Sequence, residues 1–312
     1  MENRILGLHH ITAIAGDAQR NYDFYTKVLG LRMVKKTVNF DDPQTYHFYF
    51  GDGMGTPGSI LTFFPWPRVR QGKNGAGMAT GIGYSVPEGS LEFWKERFEK
   101  FQVPHSKISK KFGEDFLNFQ DPDGLNLELI VPKNKDEREP WETNEVKSKV
   151  ALKGFHNVTL TLNDHKETAA ILKDVFGYEL EGTENNLFRF RTNAVENAAV
   201  VDIIEDPKAE RGQNAGGTNH HVAFRVKDEE TLMAFREKVM KKGLQITEKI
   251  DRDYFFSLYF REPGGVLFEI ATDNPGFATD ETVEELGSSL QLPDRYKGAR
   301  TQIEKALPQL QQ

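Results

Sequence analysis

The chain has 312 residues, 38% of them hydrophobic and 28% charged, with a net charge of −7. That length and composition suit a two-domain globular protein with a sizeable core, and the acidic balance argues against a general nucleic-acid binder, since phosphate binding draws on clustered Lys and Arg. Cysteine is absent, which excludes disulfides, thiolate-bound zinc and iron–sulfur clusters, so any metal must be held by His, Asp, Glu or Tyr.

Met1 to Gly7 lacks the apolar stretch of a secretory signal, and no later run is long enough to span a membrane. The expectation is a cytoplasmic protein that engages neither membrane nor nucleic acid. The first strand is predicted over Leu8 to Ile14, beginning with the pair His9-His10. Asp17 to Leu29 carries apolar residues at Tyr22, Tyr25, Val28 and Leu29, the spacing of an amphipathic helix, and Gly30 closes it. Three strand-like runs follow, Leu31 to Val38, Tyr46 to Phe50 and Ile60 to Phe64, punctuated by Gly51, Gly55, Pro57 and Gly58.

The pattern then repeats. Gly81 to Val86 is a strand, Leu91 to Phe101 a helix, and Lys107 to Ile130 supplies three more strands. Pro132 to Lys149 is rich in Lys, Glu, Asp and Pro and reads as a solvated linker. A third unit runs from Phe155 to Ile204 and a fourth from His220 to Ala271. Spacing supports the repeat: His10 to Gly30 and Asn157 to Gly177 are both 20 positions. Asp121-Pro122-Asp123-Gly124 in unit two aligns with Glu262-Pro263-Gly264-Gly265 in unit four. The predicted class is α+β, with four βαβββ modules in two tandem domains, residues 1–135 and 150–275, followed by a helical tail over 276–312. In the tail, Asp280 to Glu285 and Tyr296 to Leu307 are predicted helices, placed against a cavity mouth or a subunit interface, with Phe277 a candidate pocket residue.

Histidine on first strands and glutamate on last strands of such modules resembles the vicinal oxygen chelate superfamily, which includes glyoxalase I and extradiol dioxygenases. The segments Leu8-His9-His10-Ile11-Thr12, Tyr46-His47-Phe48-Tyr49-Phe50, Gly55-Thr56-Pro57-Gly58, Asn219-His220-His221 and Pro263 to Glu269 resemble the ring-cleaving dioxygenases that act on hydroquinones. The resemblance implies curved mixed sheets around a metal cavity, and a two-histidine, one-glutamate set binding Fe(II), or Mn(II) in some members. It also implies a small aromatic substrate and O2 as partners, a role in quinone or hydroquinone detoxification, and compatibility with a homo-oligomer. No organic cofactor is expected.

Side chains alternate along a strand, which assigns the ligands. His221, Ala223 and Arg225 share one face, and His220, Val222, Phe224 and Val226 share the more apolar other. His10 and Thr12 likewise share a face opposite His9, Ile11 and Ala13. Glu269 shares its face with Leu267. The metal set is therefore His10, His221 and Glu269, from units one and four. Units two and three offer Asn157, Asp202, Glu128 and either Thr80 or Gly81, a site read as vestigial.

A glyoxalase-type isomerase would carry a fourth ligand where this chain has Thr62 or Phe63. Three ligands leave positions open, as in non-haem iron oxygen chemistry. Candidate catalytic residues around the metal are His9, His220, Tyr259, Arg252 and Thr12. The first two turn away from the metal if their strands are regular, and the resemblance implies that they matter. Core packing competes as a reading of Tyr259, and a solvated charge as a reading of Arg252. His47 fits either a packed or a functional role, and His156 a satisfied core position. The predicted activity is ring cleavage of a hydroquinone. The alternatives are a catechol extradiol dioxygenase and a non-catalytic resistance protein that binds an aromatic compound.

Overall fold

The computed structural model describes residues 3–312. Module one comprises β1 (Leu8–Ala15), α1 (Ala18–Asp23), β2 (Arg32–Val38), β3 (Tyr46–Gly51) and β4 (Ile60–Pro65). Module two comprises β5 (Met78–Ser85), α2 (Leu91–Lys100), β6 (Ser109–Lys111), β7 (Glu114–Gln120) and β8 (Asn126–Ile130). Module three has β9 (Phe155–Leu162), α3 (Lys166–Ala170), β10 (Glu179–Glu184), β11 (Leu187–Arg191) and β12 (Val200–Glu205). Module four has β13 (Thr218–Val226), α4 (Glu229–Lys241), β14 (Ile250–Asp251), β15 (Phe255–Arg261) and β16 (Leu267–Pro275).

The sequence signals that mark the repeat have local physical causes. Asp17 caps α1 by accepting from the Arg20 N–H at 2.7 Å. The helix then widens into a π turn over Phe24–Val28, where the sequence predicts a regular helix to Leu29, and Gly30 ends it at φ 72°. Module three repeats this, with a π turn over Ile171–Val175 and Gly177 at φ 75°. In modules two and four the aligned acids organise the turn before the last strand. Asp121 accepts from the backbone N–H groups of Asp123 and Leu125 at 2.9 and 2.8 Å. Glu262 does the same for Gly264 and Val266, both at 2.8 Å.

Two eight-stranded mixed sheets result, and each draws four strands from each half of the sequence. One has the order β14-β15-β16-β13-β1-β4-β3-β2, the other β10-β11-β12-β9-β5-β8-β7-β6. Thus modules one and four share a sheet, joined by antiparallel β1 and β13, and modules two and three share the other. Helices cover the outer faces. There Phe176 packs on Phe224 with ring centroids 4.7 Å apart, and Val222, Phe224, Val226 and Phe268 are fully buried. Burying these side chains is the main drive to fold the modules together.

Two expectations change. The segment 132–149 is anchored rather than merely solvated. Arg138 donates to the carbonyls of Gly58 and Phe155 at 3.2 and 2.8 Å, and Val146 is fully buried. In the tail, Asp280 to Glu285 is not helical. Its first two acids are drawn instead to a buried cation, and both Asp280 and Glu281 pair with Lys35 at 2.5 Å. Helix α5 (Arg300–Ala306) forms within the second predicted stretch. The tail reaches the β2–β3 loop, where the Tyr296 hydroxyl donates to the Phe40 carbonyl at 2.7 Å.

Candidate metal centre and its cavity

The β1–β13 junction carries two bulges, and the histidine pairs sit on them. Leu8 pairs with Phe224 but His10 pairs with Ala223, so His9 is the extra residue on β1. Thr12 pairs with His221 but Ala13 pairs with Asn219, so His220 is the extra residue on β13. A bulge breaks alternation, so both members of a pair can be used in one region.

His10, His221 and Glu269 converge and are buried. The His10 and His221 Nε2 atoms lie 3.2 and 2.9 Å from Glu269 Oε2, and 3.4 Å from each other. Glu269 is placed by β16, which runs parallel to β13 with Glu269 beside Ala223.

Hydrogen bonding behind the ligands fixes their proton positions. His9 Nε2 is 3.1 Å from the Thr272 carbonyl, which only accepts, so Nε2 carries the proton. Burial and the neighbouring His10 hold the His9 pKa well below its usual value, so His9 is neutral and its Nδ1 accepts. His10 Nδ1, 2.9 Å away, must donate to it. That leaves a lone pair on His10 Nε2, facing a carboxylate. The second pair repeats the contact, with His220 and His221 Nδ1 atoms 2.8 Å apart. Burial first, and then His221, push the His220 pKa down to about 3, so it too is neutral. As a ligand through Nε2, His221 would carry its proton on Nδ1 and donate, and the neutral His220, which lines the cavity, would then carry its own on Nε2.

Among the described residues neither oxygen of Glu269 has a well-aligned donor, though both histidine Nε2 atoms are near enough to share a proton with it. The buried carboxylate and the two ring nitrogens therefore call for a cation between them, a proton or a metal. Two imidazoles and a carboxylate with open positions fit a divalent transition metal. Burial alone pushes the Glu269 carboxyl up, but His10 and His221 outweigh it when either carries a proton, holding the carboxyl well below its usual range. Proton and metal thus compete for one place.

A cavity of about 280 Å³ opens on this cluster, lined by Thr12, Phe40, His47, Phe64, Trp66, His220, Arg252, Phe255 and Tyr259 among others. Burial, and then Glu269, raise the Tyr259 pKa, so its hydroxyl stays protonated. Burial would lower the Arg252 pKa, but Tyr259 and Glu269 raise it overall, so it stays cationic. Among the described residues the Arg252 Nε is buried without a partner. His9 is the one predicted catalytic residue that does not line the cavity; it stands behind His10. Phe277 is also outside the lining and backs Tyr49, with ring centroids 5.1 Å apart. Sequence reasoning missed the walls Phe40, Phe64, Trp66 and Phe255. For Phe64 the signal was the aromatic richness of β3 and β4, which core packing explains equally well; Phe40, Trp66 and Phe255 lie outside those strands.

The second sheet carries the same bulges, at Thr80 and His156, but a different filling. Asn157 takes the register position of His10, and Glu128 that of Glu269. Side-chain cations occupy this place. Arg189 binds Asp202 through two bonds of 2.8 Å and also pairs with Glu114, while Lys111 pairs with Glu128 at 2.5 Å. His156 contacts Glu114 and Asn157, both at 3.1 Å, a satisfied core histidine as expected.

Residues 7–129 and 154–270 match the glyoxalase/bleomycin resistance protein/dioxygenase superfamily. The chain belongs to that superfamily. Within the superfamily it is 48% identical over 307 residues to "Putative ring-cleaving dioxygenase MhqO" of Bacillus subtilis, covering 98% of this chain and 97% of that protein. It is 37% identical over 314 residues to the chlorohydroquinone/hydroquinone 1,2-dioxygenase of Sphingobium indicum, covering 97% and 96%. The fold superposes on the crystal structure of a "putative dioxygenase" from Bacillus subtilis with a TM-score of 0.95 at 46% identity, covering 99% of each chain. The two tandem superfamily units thus combine their strands into two curved mixed sheets, a fold that this chain shares with a relative matched over its full length. No helix among the described residues is long and apolar enough to cross a membrane.

Proposed function

We propose that this protein is a cytoplasmic, Fe(II)-dependent dioxygenase that opens the ring of a hydroquinone with O2, with Mn(II) as an alternative metal. One observation carries the reading: the ligand atoms of His10, His221 and Glu269 converge, buried, at the wall of an aromatic cavity. Relatives named for ring cleavage and for hydroquinone over almost their whole length support the substrate class. A cavity of ~150 Å³ holds benzene, so about 280 Å³ accommodates a one-ring diol with a small substituent and O2.

His10, His221 and Glu269 would hold the metal, which when bound brings a phenol oxygen and O2 together and passes electrons between them. The chain's own groups do the rest. Phe64, Trp66 and Phe255 confine the ring. The Arg252 guanidinium, with its free Nε, and the protonated Tyr259 hydroxyl donate to oxygen atoms that become negative as the ring opens. His220, neutral and at the cavity wall, is placed to donate a hydrogen bond through its Nε2–H to a substrate oxygen. His9 holds His10 in the ligating tautomer. Removal of hydroquinones formed from toxic quinones is the physiological role that fits this chemistry.

The test is oxygen uptake by anaerobically prepared, Fe(II)-loaded protein with methylhydroquinone and with catechol. Uptake with the hydroquinone, lost in His10→Ala, is expected. Protein that binds neither Fe(II) nor Mn(II) stoichiometrically would overturn the reading and leave a non-catalytic binding protein. The catechol-type alternative draws its ligands from the C-terminal half, where Asn157 stands in this chain and side-chain cations fill the second centre.

A further inference from the structure

One wall of the cavity carries four polar groups that the metal chemistry does not use. The Tyr49 hydroxyl lies 2.9 Å from His47 Nδ1, His47 Nε2 lies 2.9 Å from Thr62 Oγ1, and Thr62 Oγ1 lies 2.8 Å from Thr12 Oγ1. Thr12, His47 and Tyr49 line the cavity, and Thr62 is fully buried behind them. Thr12 is the cross-strand partner of both Thr62 and His221, so this chain of groups ends beside a proposed metal ligand.

Counting protons decides what the chain can do. Burial, then His10 and His221, hold the His47 pKa well below its usual value, so the ring is neutral. A neutral imidazole donates once and accepts once. Four groups then carry four protons, and three bonds use three of them. The fourth is left on Thr12, on Tyr49, or on Thr62 if that hydroxyl accepts from both neighbours. Burial does not break the tie, because Tyr49 and Thr12 are both buried and each has one side-chain partner among the described residues, His47 and Thr62. The chemistry of the two hydroxyls does: a phenol is the stronger donor and the poorer acceptor, so Tyr49 donates to His47. His47 Nε2–H then donates to Thr62, and the fully buried Thr62 hydroxyl, whose one remaining side-chain partner among the described residues is Thr12, donates to Thr12 rather than leave its own proton without an acceptor.

We propose that Tyr49 and His47 are positioning residues that set the Thr12 hydroxyl to donate into the cavity, where it steadies a negatively charged oxygen on an aromatic substrate. Only the ligand class rests on the ring-cleavage reading; the direction of the chain rests on its own geometry. The direction matters because a free threonine hydroxyl can equally accept, and would then favour the neutral phenol.

The probe is 4-nitrophenol, a one-ring phenol whose ionisation is visible in its absorption spectrum. It is titrated into metal-loaded protein without oxygen, at one fixed pH, and displaced with methylhydroquinone. Wild type is compared with Tyr49→Phe and Thr62→Val, each of which interrupts the chain while leaving Thr12 in place. The bound phenolate-to-phenol ratio is expected to fall about tenfold in both variants, the scale of one hydrogen bond to a charged oxygen. The metal and Arg252 act alike in all three proteins, and metal content checks this. A ratio unchanged in Tyr49→Phe and Thr62→Val, with displaceable binding intact, overturns the positioning role alone. Absence of displaceable binding in the wild type overturns it together with the hydroquinone reading.

Discussion

Replacing His9 separates two roles that its place in the sequence leaves open. The ring accepts from His10 at 2.9 Å and donates to the Thr272 carbonyl at 3.1 Å, and it does not line the cavity. His9→Phe keeps the ring and its packing against Phe255 but removes both hydrogen bonds. The His10 Nδ1–H would then be buried without an acceptor, a cost of about 1–3 kcal/mol. Part of that cost falls on the free protein. The rest appears at the metal, because an imidazole with no acceptor behind it is a weaker and less oriented ligand, and loss of such support lowers metal affinity about 10–100-fold. The expected result is a weaker Mn(II) dissociation constant by that factor, measured by calorimetry on apoprotein. His9→Gln, which can accept and donate, should recover part of it. At saturating metal, turnover should stay within a few-fold of wild type. Unchanged metal affinity with a large loss of turnover at saturation would refute the supporting role and make His9 a proton carrier.

His221→Ala and Glu269→Ala should each abolish stoichiometric metal binding, read by elemental analysis after desalting; full occupancy in either would refute the ligand set. Because a proton shared between Glu269 and either histidine would take the place of the metal, metal affinity should fall once the pH is low enough to protonate the cluster; affinity unchanged into acid would refute the ligand set. Arg189→Met should take the guanidinium from two buried acids, leaving Glu114 with His156 and Asp202 with Asn157, and cost about 3–5 kcal/mol in urea unfolding, with the metal site intact. Burial pushes Glu114 up, but His156 and Arg189 outweigh it and bring its pKa from 4.5 to about 2. Its folded value lies below the unfolded one, so the stabilisation is complete above about pH 4.5 and lost as pH falls toward 2. Glu114→Gln should therefore flatten that acid limb of the unfolding curve.

The repeat was legible because each module must reuse the same local devices. The Gly30 and Gly177 closures, and the acids at 121 and 262 that hold a turn, leave residue types at fixed spacing. Alternation then picked out His10, His221 and Glu269, because strand geometry is local and periodic. Alternation failed at His9 and His220, where it predicts opposite faces. A bulge depends on the register between two strands distant in sequence, and one strand's residues do not reveal it. The same limit hid the chain from Tyr49 to Thr12, whose members come from β1, β3 and β4. Sequence thus determined the modules and the three residues that converge. Tertiary structure alone decided which nitrogen of each histidine faces Glu269, and which cations fill the second centre. Those depend on hydrogen-bond partners that only the paired strands bring within reach.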